Sequence, residues 1–483
     1  MSKNVSRRDF LKLASVGAAT TAVLTGCGPS SRYIVREPYT KMPEYTYNGL
    51  STYYATTCRE CAAACGLIVR TMQGRAIKVE GNPESPVNRG KTCSRGQVSL
   101  QGLYNPNRVR GPIKHKRGEA LYNAKFENNE ANASWDEAIQ VVSDALKNSS
   151  GVAFLLGQTS DHLFDLVTEL TTAIGAPAPI RVGSVFEGRA TLSKAAEDLF
   201  GQQGMPYFDI ANSDLVLSFG ANFLETWLSP VAFSQAYAKM RGGTPKRRGY
   251  FIHFEARLSQ TAAKADEWIP LLPGTEGLVA LAIGKLVAEA KGGNIPPAFS
   301  SVNVEEIIKA SGVTREAFDS VVSHILKAVS PVAIPGAIAM AQNNGLAAAE
   351  AILSLNALTG NFGKPGGVFI SPLSPNEDEY HRVASAQELS DFIAQVNSGA
   401  IKTLFVHGTN PLFELPKSFG FAEALKNVSQ VISFATFPDE TAVASDYIFP
   451  DRHGLESLGL STCFDRLCSI RACWRTACCF RRL

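Results

Sequence analysis

Four cysteines carry the clearest chemistry in the chain: Cys58-Arg-Glu-Cys61-Ala-Ala-Ala-Cys65, closed much later by Cys93. Three thiolates within eight residues can wrap one face of a metal centre, and a distant fourth completes the coordination, as a cubane [4Fe-4S] cluster requires. A structural zinc site with four thiolates is the alternative, although such sites more often present two paired C-x2-C knuckles. Disulfide pairing is a further one. The ten cysteines do not form one framework, because Cys27 stands alone and Cys463, Cys468, Cys473, Cys478 and Cys479 crowd the end.

These thiols need a small scaffold, which the sequence places from Ser51 to about Val109. A strand over Leu67–Met72, a turn at Gln73-Gly74 and a second strand over Ala76–Glu80 predict a hairpin there. Beyond it, Ser134 caps a helix and Glu137 completes a capping box. Short apolar runs then recur at Gly151–Gly157, Asp214–Gly220, Gly249–Phe254, Val332–Ile334, Thr403–Val406 and Val431–Phe434, separated by helical stretches. Buried strands alternating with helices predict α/β domains with largely parallel sheets. Ligands in such sheets sit at the carboxyl ends of the strands, where Gly, Asn and Asp residues cluster here.

Composition excludes some classes of function. The 483 residues are 45% hydrophobic and carry a formal net charge of +3, with basic and acidic residues interspersed, so no nucleic-acid footprint is present. The first 27 residues combine Arg7-Arg8 with a short apolar run ending in Leu24-Thr25-Gly26-Cys27, which predicts a Tat-type lipoprotein signal with Cys27 as the lipidation site. Residues 28–50, rich in Pro, Ser and Tyr, read as a tether. No later stretch offers 18 uninterrupted apolar residues, so the expected protein lies on the outer face of the cytoplasmic membrane or in the periplasm and is held by its lipid.

The cysteine spacing, the Cys93-Ser94-Arg95-Gly96 ending and Gly81-Asn82-Pro83 resemble the N-terminal [4Fe-4S] domain of the molybdopterin oxidoreductases, the dimethyl sulfoxide reductase family. Further matches follow in family order: Arg108–Pro112, Ser134–Ala138, Ala265–Pro270 with Pro273–Gly277, Thr359–Gly367, Gly408–Pro411, and Glu440-Thr441 with Ser445–Pro450. The resemblance implies a [4Fe-4S] domain over 51–112 and doubly wound α/β domains of the molybdopterin oxidoreductase type over 113–456. It also implies a molybdopterin guanine dinucleotide with Mo or W. Arg95 would be the cation between cluster and pterin. Gly220, Asn222 and Glu225, then Glu255 and Arg257, Gly274 and Glu276, and Gly408 and Asn410 would line the dinucleotide cleft.

Two departures accompany the resemblance. No Cys lies between Cys93 and Cys463, and where relatives carry a metal ligand this chain has Gly188–Lys194, so Ser193 is the candidate ligand, with Thr191 beside it. A hydroxyl that caps a helix or faces solvent is the competing reading. From Ser457 the composition turns abruptly to Cys and Arg, which reads as a frameshifted or truncated tail over 457–483. The functional expectation is a subunit passing electrons between a pterin-metal site and a respiratory partner. The alternative is a non-catalytic electron-transfer or scaffolding subunit of a quinol-oxidising complex, like the large iron-sulfur subunit of bacterial alternative complex III. By analogy the partners are a ferredoxin-like iron-sulfur subunit and a quinone-reactive membrane subunit.

Overall fold

The computed structural model of the chain describes residues 50–117, 132–147, 149–183, 187–202, 204–242, 248–292, 294–371 and 383–456. The expected leader with Cys27, nearly all of the tether and the Cys/Arg-rich tail lie outside the described residues. The described residues form two compact units, one holding residues 50–51 with Met72–Arg75, the other residues 52–71 and 76–456. The candidate sites all belong to the second.

A three-stranded sheet comes first, in the order β1-β2-β3: β1 (Ser51–Thr57), β2 (Gly66–Met72) and β3 (Arg75–Gly81). The expected hairpin joins β2 to β3 through Gln73 and Gly74, both at positive φ (50° and 76°), as a two-residue type I′ turn requires.

The rest is α/β. After β4 (Ile113–Lys114), β5 (Val152–Leu156) and β6 (Ile180–Arg181), the chain leaves one sheet to build another. That excursion holds β7 (Pro206–Phe208), β8 (Leu215–Phe219), β9 (Tyr250–Phe254), β10 (Glu267–Ile269), β11 (Pro331–Pro335) and β12 (Val368–Ile370). It then returns with β13 (Thr403–His407), β14 (Gln430–Ala435) and β15 (Tyr447–Pro450). The six-stranded sheet has the order β4-β15-β14-β13-β5-β6, parallel except where β4 meets β15. The inserted four-stranded sheet, β10-β9-β8-β11, is parallel throughout, and β7 and β12 pair antiparallel beside it.

Each expected apolar run is a strand, and side-chain alternation explains how one run feeds two cores. Leu215, Leu217 and Phe219 of β8 enter one cluster with Ile252, Phe254 and the helix Glu276–Ala290, whereas Val216 enters the opposite cluster with Phe251, Val332 and Ile334. Phe219 and Phe254 stack at 4.4 Å between ring centroids, and burying each such ring is worth roughly 1.5–3 kcal/mol. The six-stranded sheet repeats the scheme, with Leu155, Leu404 and Val406 on one face and Phe154, Phe405 and Ile432 on the other. Helices Glu276–Ala290 and Gly345–Leu358 approach closely because Gly277 has no Cβ, which would sit 2.7 Å from the Cα of Ala348.

The capping box forms only by half. Ser134 Oγ accepts the Glu137 N–H at 3.1 Å, but the Glu137 carboxylate turns to Lys114 Nζ at 3.2 Å. An ion pair to the neighbouring strand has replaced the reciprocal bond.

Candidate cluster and cofactor site

The four thiols are set by three element boundaries. Cys58 follows the end of β1, Cys65 directly precedes β2, and Cys93 is the N-cap of the helix Ser94–Leu103. The Cys58 N–H donates to the Cys65 carbonyl at 2.7 Å and closes the loop, in which Ala64 takes a positive φ of 50°. Asn88 fastens the next residue from both sides, its Oδ1 accepting the Gly66 N–H and its Nδ2 donating to the Gly66 carbonyl, each at 2.8 Å. Gly96 makes room for Thr92, since a Cβ there would lie 2.4 Å from Thr92 Oγ1, and it sits beside Cys58, whose Sγ would be 3.9 Å away.

Leu67, Val69, Val79, Val231, Leu100 and Leu455 wall this pocket with apolar surface. Burial pushes the thiols of Cys58 and Cys65 up to about 12, helped by repulsion from the other cysteines, and burial also raises Cys61. A bound cation inverts that tendency and keeps coordinating thiols deprotonated. All four cysteines are free of disulfides. Among the described residues no three His, Cys, Asp or Glu side chains converge as ligands of one metal ion.

The second feature is a pair of topological switch points, where strand order reverses and carboxyl ends diverge. In the six-stranded sheet this falls between β5 and β13, and in the four-stranded sheet between β8 and β11. Both are built from two glycines in near contact. A Cβ on Gly157 would lie 2.2 Å from the Gly408 carbonyl oxygen, and one on Gly336 would lie 2.1 Å from Ala221 N and 2.2 Å from the Gly220 carbonyl carbon. Gly220 and Gly408 have φ of 65° and 67°, which L side chains rarely adopt. Gly157 and Gly336 were not singled out in the sequence. The available signal was a Gly or Pro-Gly closing an apolar run.

Every buried side-chain oxygen without a hydrogen-bond partner among the described residues lies in a segment that follows a strand of the two parallel sheets, three of the six after the switch-point strands β5 and β8. They are Thr159 Oγ1 after β5, Asn222 Oδ1 and Ser229 Oγ after β8, Thr261 Oγ1 after β9, and both carboxylate oxygens of Glu276 after β10. Unpartnered buried oxygens cost free energy unless a polar ligand meets them, so these strand ends fit a group rich in donors. Glu276 is fully buried in the first turn of its helix, and burial raises its pKa. The N–H groups of Gly274 and Glu276 stand near it but outside hydrogen-bond geometry.

Other cleft residues named from sequence are already engaged. Glu225 Oε1 accepts the Thr261 N–H at 2.8 Å. Glu255 is buried, with Oε2 3.0 Å from His253 Nε2 and Oε1 accepting from Arg257 Nε at 3.2 Å. Burial alone would raise the Glu255 pKa, but bonds from His253, Ser259 and Arg257 hold it below the usual range. Arg257 keeps its side chain 67% exposed. Asn410 Oδ1 accepts from Thr441 Oγ1 at 2.7 Å while its Nδ2 donates to Glu440 at 2.5 Å. Gly274, at φ 84°, accepts from Asn344 Nδ2 at 3.1 Å. Arg95 is exposed at the start of the helix after Cys93 and lies within electrostatic reach of Glu60 and Cys61. Ser193 lies on the helix Arg189–Phe200, where its Oγ donates to the Gly204 carbonyl at 3.3 Å, and among the described residues no hydrogen bond joins it to the strand ends.

Residues 51–105 match the molybdopterin oxidoreductase Fe4S4 domain, and residues 108–471 match the molybdopterin oxidoreductase domain. The chain belongs to the molybdopterin oxidoreductase family. It carries both cofactor domains of that family, one for a [4Fe-4S] cluster and one for a molybdopterin cofactor with Mo or W. It is 28% identical to the menaquinone reductase, molybdopterin-binding-like subunit, of Nitratidesulfovibrio vulgaris over 94% of this chain and 66% of that protein. It is 32% identical to the arsenate respiratory reductase molybdopterin-containing subunit ArrA of Shewanella sp. strain ANA-3 over 58% of this chain and 32% of that protein. The chain thus spans between about a third and just under two thirds of the length of these relatives. The solved structure of acetylene hydratase from Pelobacter acetylenicus shares the fold, with a TM-score of 0.68 at 17% identity over 85% of this chain and 64% of that one.

Proposed function

We propose that this molybdopterin oxidoreductase family member is an exported, lipid-anchored subunit that passes electrons through its [4Fe-4S] cluster between a pterin-metal site and a respiratory partner. The observation that carries the reading is a group of four thiols, Cys58 and Cys65 buried and Cys61 and Cys93 half-buried, in the same compact unit as two parallel sheets whose strand ends carry buried oxygens without partners among the described residues. When bound, a molybdopterin metal supplies two-electron chemistry, and an iron-sulfur cluster relays single electrons. The chain's own residues do the rest. Cys58, Cys61, Cys65 and Cys93 hold the cluster in apolar surroundings, and Arg95 offsets the negative charge of Glu60 beside it. The glycine pairs let the strand ends meet closely at the switch points, and Asn222 and Glu276 would accept hydrogen bonds from the polar edges of a bound dinucleotide.

Relatives named as subunits of a menaquinone reductase and of an arsenate respiratory reductase support a place in a multi-subunit respiratory complex. The expected partners are a ferredoxin-like iron-sulfur subunit and a quinone-reactive membrane subunit. The proposed attachment is a lipid at Cys27; among the described residues no helix is long and apolar enough to cross a membrane. A second reading, a non-catalytic electron-transfer subunit of a quinol-oxidising complex without molybdenum, draws on Ser193, whose hydroxyl is bonded to a backbone carbonyl. It draws also on Glu225, Glu255 and Asn410, which spend their polar atoms within the protein.

The test uses membranes of the native host. A quinol analogue should change the redox state of the cluster, seen by electron paramagnetic resonance (EPR), and Cys27→Ser should release the protein from the membrane fraction. A cluster that never exchanges electrons with the quinone pool would overturn the respiratory role. Retention in the cytoplasm would overturn export.

A further inference from the structure

Arg59, the residue after the first cluster ligand, is met by segments that follow the carboxyl ends of two strands of the six-stranded sheet, β5 and β15. After β5, Gln158 Nε2 donates to the Arg59 carbonyl at 2.8 Å. After β15, Gly454 makes way for the Arg59 side chain: a Cβ at 454 would lie 3.0 Å from Arg59 Cβ and 3.3 Å from its Cγ and Cδ. Asp451, also after β15, lies within electrostatic reach of Arg59 and is bonded through Oδ2 to Nε2 of His407, the last residue of β13, at 3.0 Å. Gly454 has no positive φ that would call for glycine, so crowding against Arg59 is what a side chain there would bring.

Gln158 stands at the switch point itself. Its N–H donates to the Gly408 carbonyl at 2.7 Å, and a Cβ on Gly408 would lie 3.1–3.2 Å from the Gln158 backbone. One residue therefore has its backbone locked between the two glycines of the cofactor cleft and its side-chain amide on the loop between Cys58 and Cys61.

We propose that Gln158 is a positioning residue that couples the two cofactor sites, fixing the Cys58–Cys61 loop of the cluster to the Gly157/Gly408 switch point. Reduction potentials of iron-sulfur clusters follow hydrogen bonding and solvent access around the sulfurs. A loop held from the cleft sets both. The same bond gives the cluster a covalent and hydrogen-bonded connection to the pterin cleft, through Cys58, the Arg59 carbonyl and the Gln158 amide. This connection rests on the proposed function, whereas the hold on the loop does not.

The experiment compares Gln158→Met, which keeps length and neutrality but loses the donor, with the native chain purified anaerobically with its cluster. The readouts are the reduction potential of the cluster, its EPR line shape, and amide hydrogen exchange of the Cys58–Cys65 segment. The expected result is native iron content, a shifted potential, a broadened spectrum and faster exchange in that segment. Gly454→Ala, which presses on Arg59 from the other side with Gln158 intact, should also shift the potential. A native potential with native exchange in Gln158→Met overturns the proposal. Should either variant lose its cluster, exchange of the segment in the iron-free proteins decides, because a hold on the loop requires faster opening in Gln158→Met than in the native chain. Pterin content, measured on the same samples, tests the proposed function separately.

Discussion

At the scale of single residues, the site divides into groups that wait for a ligand and groups that are already satisfied. Cys61 belongs to the first kind, and Cys61→Ser should abolish the EPR signal of the reduced cluster. An intact signal would remove it from the ligand set. Glu276 belongs there too, because burial raises its pKa and no donor meets its oxygens among the described residues. A carboxyl whose folded pKa lies above its unfolded value contributes stability below the unfolded value and loses it as pH rises through the folded one. Glu276→Gln should therefore stabilise the cofactor-free protein by about 1–3 kcal/mol at neutral pH and have little effect in acid. Thermal denaturation across pH 4 to 8 measures it, and equal shifts at both ends would contradict the assignment. Glu255 is of the second kind, since its bonds to His253 and Arg257 already satisfy it.

At the scale of elements, glycines fix how closely backbones can approach. Gly336→Ala would place a Cβ 2.1 Å from Ala221 N at the β8/β11 switch point, against backbone that cannot turn aside. The expected cost is about 1–3 kcal/mol in chemical denaturation, together with weaker cofactor retention. Full stability in that variant would show that the switch point can relax. The strands of both parallel sheets were legible in the sequence because they are buried on both faces, so β5, β8, β9, β11, β13 and β14 are continuous apolar runs. The short strands β6, β7, β10, β12 and β15 were not, because two to four residues, such as Glu267–Ile269, carry too little pattern to separate from a loop. The Cys58, Cys61 and Cys65 spacing was equally legible, being close in sequence, and Cys93 is brought to it from farther along the chain. The bond from Gln158 to Arg59 joins residues 99 apart, and no local pattern records it.

At the scale of the whole molecule, the chain interrupts one parallel sheet to build a second and then returns, so two switch points of similar glycine construction arise in one protein. The cluster module adjoins the returning sheet through Gln158, Asp451 and Gly454, which come from far along the chain. The central claim is that one chain holds a [4Fe-4S] cluster at Cys58, Cys61, Cys65 and Cys93 beside a molybdopterin cleft. The measurement that tests it most directly is metal and pterin analysis, with EPR spectroscopy of the reduced form, on protein purified anaerobically from its native host. The expected result is iron in the stoichiometry of one [4Fe-4S] cluster, a matching signal lost in Cys61→Ser, and a pterin with molybdenum or tungsten. Zinc without iron, or a cluster signal that survives Cys61→Ser, would contradict it.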